Sequence, residues 1–183
     1  MKNIVLFIVI LSISCYTYSQ TEKVAIGLGA AYAMPTAGFS NYVKNGYEVE
    51  GKVLFAIGRN TGLDFSVSNG RWELKDGISG WLKEWTILPG IRYFANWNSF
   101  IPYVSASMGV QINSVDIESK DSSSVYSDTK NNLSDNTVFA VQFGTGFIFH
   151  LSDRLCFDCR IRYRFVRRSD FASFYTGFIY NIF

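Results

Sequence analysis

Eight segments whose side chains alternate between apolar and polar, links that are short and long in turn, and a body without any further helix-length apolar run predict an all-β fold. The fold class is an eight-stranded antiparallel up-and-down transmembrane β-barrel, spanning residues 20–183 behind a signal peptide at residues 1–19.

The leader opens Met1-Lys2-Asn3, runs apolar from Ile4 to Ile13 and turns small and polar through Ser14 to Gln20. A membrane-crossing helix needs about 20 apolar residues, so this run is too short to be one and fits a secretory signal. Thr17 and Ser19 are small enough to stand three and one residues before a cut that leaves Gln20 as the new terminus. The alternative is a lipidated Cys15, but Ser12 stands where a lipoprotein signal normally has a leucine-like side chain.

The first strand segment puts Val24, Ile26, Leu28, Ala30 and Tyr32 on one face and Ala25, Gly27, Gly29, Ala31 and Ala33 on the other. The second sets Tyr47, Val49, Val53, Phe55 and Ile57 against Glu48, Glu50 and Lys52. The third sets Leu63, Phe65 and Val67 against Asp64, Ser66 and Ser68, and the fourth Trp85, Ile87, Ile91 and Tyr93 against Glu84, Thr86 and Arg92. In the fifth, Val104, Ala106, Met108, Val110 and Ile112 oppose Tyr103, Ser105, Ser107, Gly109 and Gln111. The sixth sets Phe139, Val141, Phe143, Phe147 and Phe149 against Ala140, Gln142, Gly144 and Gly146. The seventh sets Leu155, Phe157, Ile161, Tyr163 and Phe165 against Asp158, Arg160, Arg162 and Arg164. The last sets Phe174, Phe178, Tyr180 and Ile182 against Tyr175, Gly177 and Asn181. Each segment is long enough for the ~9–11 residues a tilted strand needs to cross a bilayer.

Gly58–Thr61, Asn96–Ser99 and Leu151–Arg154 are the short turns, and Met34–Gly46, Lys75–Lys83, Ser114–Asp135 and Arg167–Phe171 the longer links. Bacterial barrels carry short periplasmic turns and longer outer loops, so an even strand count with both termini periplasmic fits this alternation. Beyond Ile112 the alternation continues through Val115 and Ile117 with a change of phase, which predicts a β-bulge and strands that stand above the membrane.

Alternation alone leaves open which face looks outward. A soluble lipocalin-like carrier would turn the bulky face inward and coat its exterior with Lys and Glu. Here Gly, Ala and Ser dominate several of the polar faces, while the apolar faces hold nearly all the large aromatics of the strand segments. A narrow eight-strand interior has room for the former only, so the apolar face is expected to meet lipid. The inward charges are then Glu48, Glu50, Lys52, Asp64, Glu84, Arg92, Asp158, Arg160, Arg162 and Arg164, five of each sign. Buried charges require partners, and an equal count is what a closed network in the barrel interior needs.

These features resemble the small outer-membrane β-barrel family of OmpA-barrel, OmpX-like and opacity-type proteins. The resemblance rests on Pro35-Thr36-Ala37-Gly38-Phe39-Ser40 with Gly46, similar to a first outer loop, and on the last strand Gly177–Phe183. Tyr180 and Phe183 resemble a barrel-assembly signal, which implies the assembly machinery as a partner during biogenesis. Asn181 departs from it, standing where a side chain in step with Phe183 is usually apolar or aromatic. The resemblance implies the outer membrane as location and its lipid as a partner. Fold alone fixes no function.

Candidate chemistry is sparse. A formal charge of +2 and no basic patch argue against nucleic acid. Cys156 and Cys159 lie three apart on one strand, so their side chains point to opposite faces, and no second Cys/His pair completes a metal site. Some barrels of this family are enzymes, with their reactive groups at the outer rim. The only histidine, His150, adjoins a short turn at the other end, so no enzyme and no cofactor is expected. Ser114–Asp135 carries a net charge of −3 and offers Asp116, Glu118, Asp121, Tyr126 and Asp128 as candidates for an extracellular protein or surface partner. A solvated loop explains the same residues. Trp72, Trp81 and Trp85, near the second outer loop, and Trp97 in a periplasmic turn read as interfacial anchors. The expectation is a monomeric, non-enzymatic barrel with a structural or surface-interaction role, and the alternative is a narrow or gated conduit for ions or small solutes.

Overall fold

The computed structural model describes residues 24–75, 80–95, 100–117, 137–167 and 169–182. The expected signal peptide, Trp97, Glu118, Asp121, Tyr126, Asp128 and Phe183 lie outside the described residues. Eight antiparallel strands close into one barrel: β1 (Val24–Pro35), β2 (Val43–Ala56), β3 (Thr61–Leu74), β4 (Gly80–Phe94), β5 (Phe100–Ile117), β6 (Thr137–His150), β7 (Leu155–Val166) and β8 (Phe171–Asn181). Each strand pairs with its neighbour in sequence, and β1 pairs with β8 to complete the ring. Closure removes the unpaired edges that an open sheet would expose.

The pleat sorts the sequence cleanly. Leu28, Val104, Phe139 and Ile161 are among the many large apolar side chains that face outward. Arg92, Arg162, Arg164, Glu48 and Glu50 are buried inside. A soluble protein would have the reverse distribution, whereas lipid is the solvent that accepts this exterior. The fold is that of a small transmembrane barrel.

Three readings of the sequence change at the end that carries the long links. β4 begins at Gly80, inside the expected link Lys75–Lys83, while β3 runs to Leu74 and β5 to Ile117 as the alternation continuing through Val115 and Ile117 implies. Part of the first long link is a 3-10 helix, Ala37–Asn41. No bulge follows Ile112, because the β4–β5 register is unbroken from Trp85↔Ile112 to Gly80↔Ile117. Gln111 and Asn113 are buried and Val115 packs inward against a hydrophobic cluster, so the phase never changes. What changes is the chemistry of the interior, from polar to apolar, and a shift in composition imitated a shift in register. The register shift on the β2–β3 pair lies between Val43 and Gly46, and it brings both residues to the inner face.

Trp72 is the third correction. It is no interfacial anchor: it is fully buried inside the barrel, packed against Phe39 and Phe171 at ring-centroid distances of 6.1 and 5.3 Å. Trp81 and Trp85 do face outward.

Candidate functional site

The interior is built in three layers. At the turn end, Ala25, Leu54, Tyr103, Ile148, Cys156 and Ile179 form an apolar cluster with Phe94 and Ile101 against it. A cleft of about 290 Å³ opens there, lined by part of this cluster and by Arg59, Asn60, His150 and Asn181. At the loop end Ala33, Phe39, Val43, Trp72, Leu74, Leu82 and Phe171 form a second apolar cluster. Between the two lies the charged layer.

Alternation delivers that layer. Glu48, Glu50 and Lys52 project inward from β2, Asp64 from β3, Glu84 and Arg92 from β4, and Asp158, Arg160, Arg162 and Arg164 from β7. All ten are buried. At its lower end Lys52 bonds Asp158, which also accepts from Tyr103 and from Arg92 at 3.3 Å. Arg92 reaches Asp64 at 2.6 Å. In the middle Glu50 binds both Arg160 and Arg162. At the upper end Glu48 pairs with Arg162 and, at 2.9 Å, with Arg164, which joins Glu84 at 2.7 Å. The structure therefore brings the ten sequence-derived charges into one connected chain of ion pairs.

Sequence reasoning placed the charges and missed the neutral groups that fit between them. The Tyr175 ring lies beside Lys52, Arg160 and Arg162, with its centroid 4.1, 4.4 and 5.6 Å from the charged groups. Each faces the electron-rich π system, an attractive arrangement once water is excluded. Two glycines make room for this ring. A Cβ at Gly29 or Gly177 would stand 2.5 or 2.4 Å from the Tyr175 hydroxyl. Ser173 accepts from Arg162 at 2.7 Å, and Gln142 and Thr86 accept from Arg164 at 3.1 and 3.0 Å. The usable signal was phase: every one of these residues occupies the inward side of its strand.

The interior chemistry is electrostatic. Buried guanidinium–carboxylate pairs cross-link strands far apart around the ring, because arginines of β7 donate to β2, β3 and β4. Among the described residues no group of three or more His, Cys, Asp or Glu has an arrangement that could hold a metal ion. Cys156 faces the lumen cluster and Cys159 the outer wall, and both are free thiols. His150 ends β6 at the turn end, its Nδ1 3.2 Å from the Cys156 sulfur. Asp116, the described member of the outer-loop set, is exposed and paired with Lys83 at 2.9 Å. Tyr180 is exposed on the outer wall at the end of β8.

A closed ring of eight tilted strands with an apolar exterior and a charged, filled lumen defines a small transmembrane barrel of the outer-membrane type. Known structures share it. The chain is similar to Neisserial surface protein A, with a TM-score of 0.63 at 16% identity over 87% of this chain and 97% of that one. It is similar to the attachment invasion locus protein Ail of Yersinia pestis, solved in complex with the heparin analogue sucrose octasulfate (TM-score 0.57, 15% identity, 89% and 100% covered). A third likeness is the N-terminal β-barrel domain of Pseudomonas aeruginosa OprF, with TM-score 0.53, 13% identity and coverage of 88% and 100%. No protein-family model matches the sequence, and no curated protein matches it.

Proposed function

We propose that this is a non-enzymatic outer-membrane barrel with a structural or surface-interaction role carried by its outer ends. The observation that supports it most is the occupied lumen. Five cations and five anions paired across the ring, with apolar clusters above and below them, leave side chains where a conduit needs water. The turn end is then periplasmic, residues 1–19 are removed on export, and Tyr180 and Phe183 present the assembly signal. The acidic residues Asp116, Glu118, Asp121 and Asp128, with Tyr126, stand outside the cell. Two of the similar structures are named for surface roles, one as a surface protein and one as an attachment protein. At such low identity they support a class of role and no ligand.

The test is single-channel recording of the purified full chain in planar bilayers. The closed lumen predicts no stable conductance. Stable steps that vanish when Arg162 or Glu50 is replaced would install the narrow conduit instead. A soluble protein whose unboiled and boiled samples migrate alike on a gel would overturn the membrane reading altogether, in favour of a lipocalin-like carrier.

A further inference from the structure

The lumen is finished differently at its two ends. At the loop end Phe39, Trp72 and Phe171 pack into the mouth. At the turn end the cleft of about 290 Å³ reaches inward between Ala25 of β1, Leu54 of β2, Phe94 of β4, Ile101 of β5, Ile148 of β6 and Ile179 of β8. Its inner limit is the charged layer. The next inward residues beyond Leu54 and Cys156 are Lys52 and Asp158, and these two bond each other. The cleft is therefore blind, a pocket and not a passage.

Its lining is chemically sided. Water among such apolar side chains finds few partners, so the space favours an apolar guest. Most of the polar lining groups are already engaged. Asn60 Nδ2 donates to the Phe94 carbonyl at 2.8 Å. His150 Nδ1 lies 3.2 Å from the Cys156 sulfur, and Asn181 Nδ2 lies 3.7 Å from the same atom. Arg59 is the exception. It stands exposed in the turn between β2 and β3, and its guanidinium has no acidic partner among the described residues. A cation at the rim of an apolar pocket is matched by an anion that carries an apolar tail.

We propose that this cleft binds a medium-chain carboxylate, with the chain among Leu54, Phe94, Ile148 and Ile179 and the head on the Arg59 guanidinium. Size sets the chain length. A cavity of about 150 Å³ holds the six carbons of benzene, so this one takes a chain of about ten. Each buried methylene tightens binding by about fourfold, which makes the tail the larger contribution and the head the selective one. An inorganic anion has no use for the wall, and an alkane has none for Arg59. Placing the site on the periplasmic side rests on the membrane reading above, while the pocket itself requires only the barrel.

The test takes Cys156, which lines the cleft, as reporter and Cys159, on the outer wall of the same strand, as control. The full chain in phosphatidylcholine vesicles is treated with N-ethylmaleimide, and fragment mass spectra read the rate at each thiol. Decanoate below its micellar range is expected to slow Cys156 in a saturable way and to leave Cys159 unchanged. Butanoate at the same concentration is expected to protect neither. Decanol, compared at equal free concentration, should protect Cys156 about threefold to fivefold more weakly, the value of one exposed ion pair. Arg59→Gln should abolish that difference without altering the rate in the free protein. Equal slowing of both thiols overturns the proposal, because it reports a change in the bilayer. Equal protection by decanol, or protection untouched by Arg59→Gln, overturns it as well, and so does a Cys156 that never reacts, since the cleft is then closed. Gel heat-modifiability of the same samples reports on the barrel separately, so a failed site and a failed membrane reading give different results.

Discussion

Glu50 holds Arg160 and Arg162 together and has Lys52 at 3.9 Å, all of them buried. Replacing Glu50 by Gln keeps the shape and removes the shared anion, leaving Arg162 with Glu48 and Arg160 with Asp64 at 3.9 Å. Breaking a buried pair costs about 3–5 kcal/mol, and the partners that remain place this one at the lower end of that range. Lys44 and Glu73 form a close pair on the surface, at 2.6 Å, with roughly half of each side chain in the open. Lys44→Ala should cost no more than ~1 kcal/mol, because water and salt already screen that interaction. Urea unfolding followed by tryptophan fluorescence in lipid vesicles measures both. Equal midpoint shifts would mean that the interior pairs are solvated and the lumen is open.

At the scale of elements, the long wall made by β2 to β5 explains the first link. Its inner face above the charged layer carries Trp72, Leu74, Leu82 and Val115, which would meet water if the mouth stood open. The 3-10 helix Ala37–Asn41 instead brings Phe39 onto Trp72. Thr36 N–H donates to the Asp170 carbonyl at 2.9 Å, and Lys75 Nζ to the Ser40 carbonyl at 2.7 Å, so neighbouring links tether the cap. Phe39→Ala should release it. Limited proteolysis would then cut within residues 36–42 faster than in wild type, while the gel shift of the unboiled barrel persists. An unchanged cleavage rate would show that the backbone tethers alone hold the cap. This is also where the sequence was hardest to read. Strand number, turn positions and the ten inward charges follow from a period of two that the lumen and lipid both enforce. Trp72 and Val115 obey the same period, but they are apolar on an inward face, and the pattern of the membrane-spanning part makes such residues look outward. Gly29 and Gly177 read as small inward residues, and only the coordinates show that Tyr175 needs their missing side chains.

For the molecule as a whole, every argument rests on which solvent the wall meets. Ile87 lies near the middle of β4, exposed, with Val67 opposite it on β3 and Val110 on β5. In lipid, Ile87→Arg places a charge in hydrocarbon and should cost about 2–4 kcal/mol, falling to about 0–1 kcal/mol for a comparable substitution near the interface, such as Tyr93→Arg at the turn end of the same strand. The gradient is the informative quantity. A protein whose wall faced water would lose little at either position and show no dependence on depth, since exposed substitutions usually lie within about 0.5 kcal/mol. Reversible urea unfolding of the two variants in phosphatidylcholine vesicles therefore separates the solvents. A steep depth dependence is what a wall immersed in lipid predicts. A flat one would place the exterior in water and overturn the membrane reading.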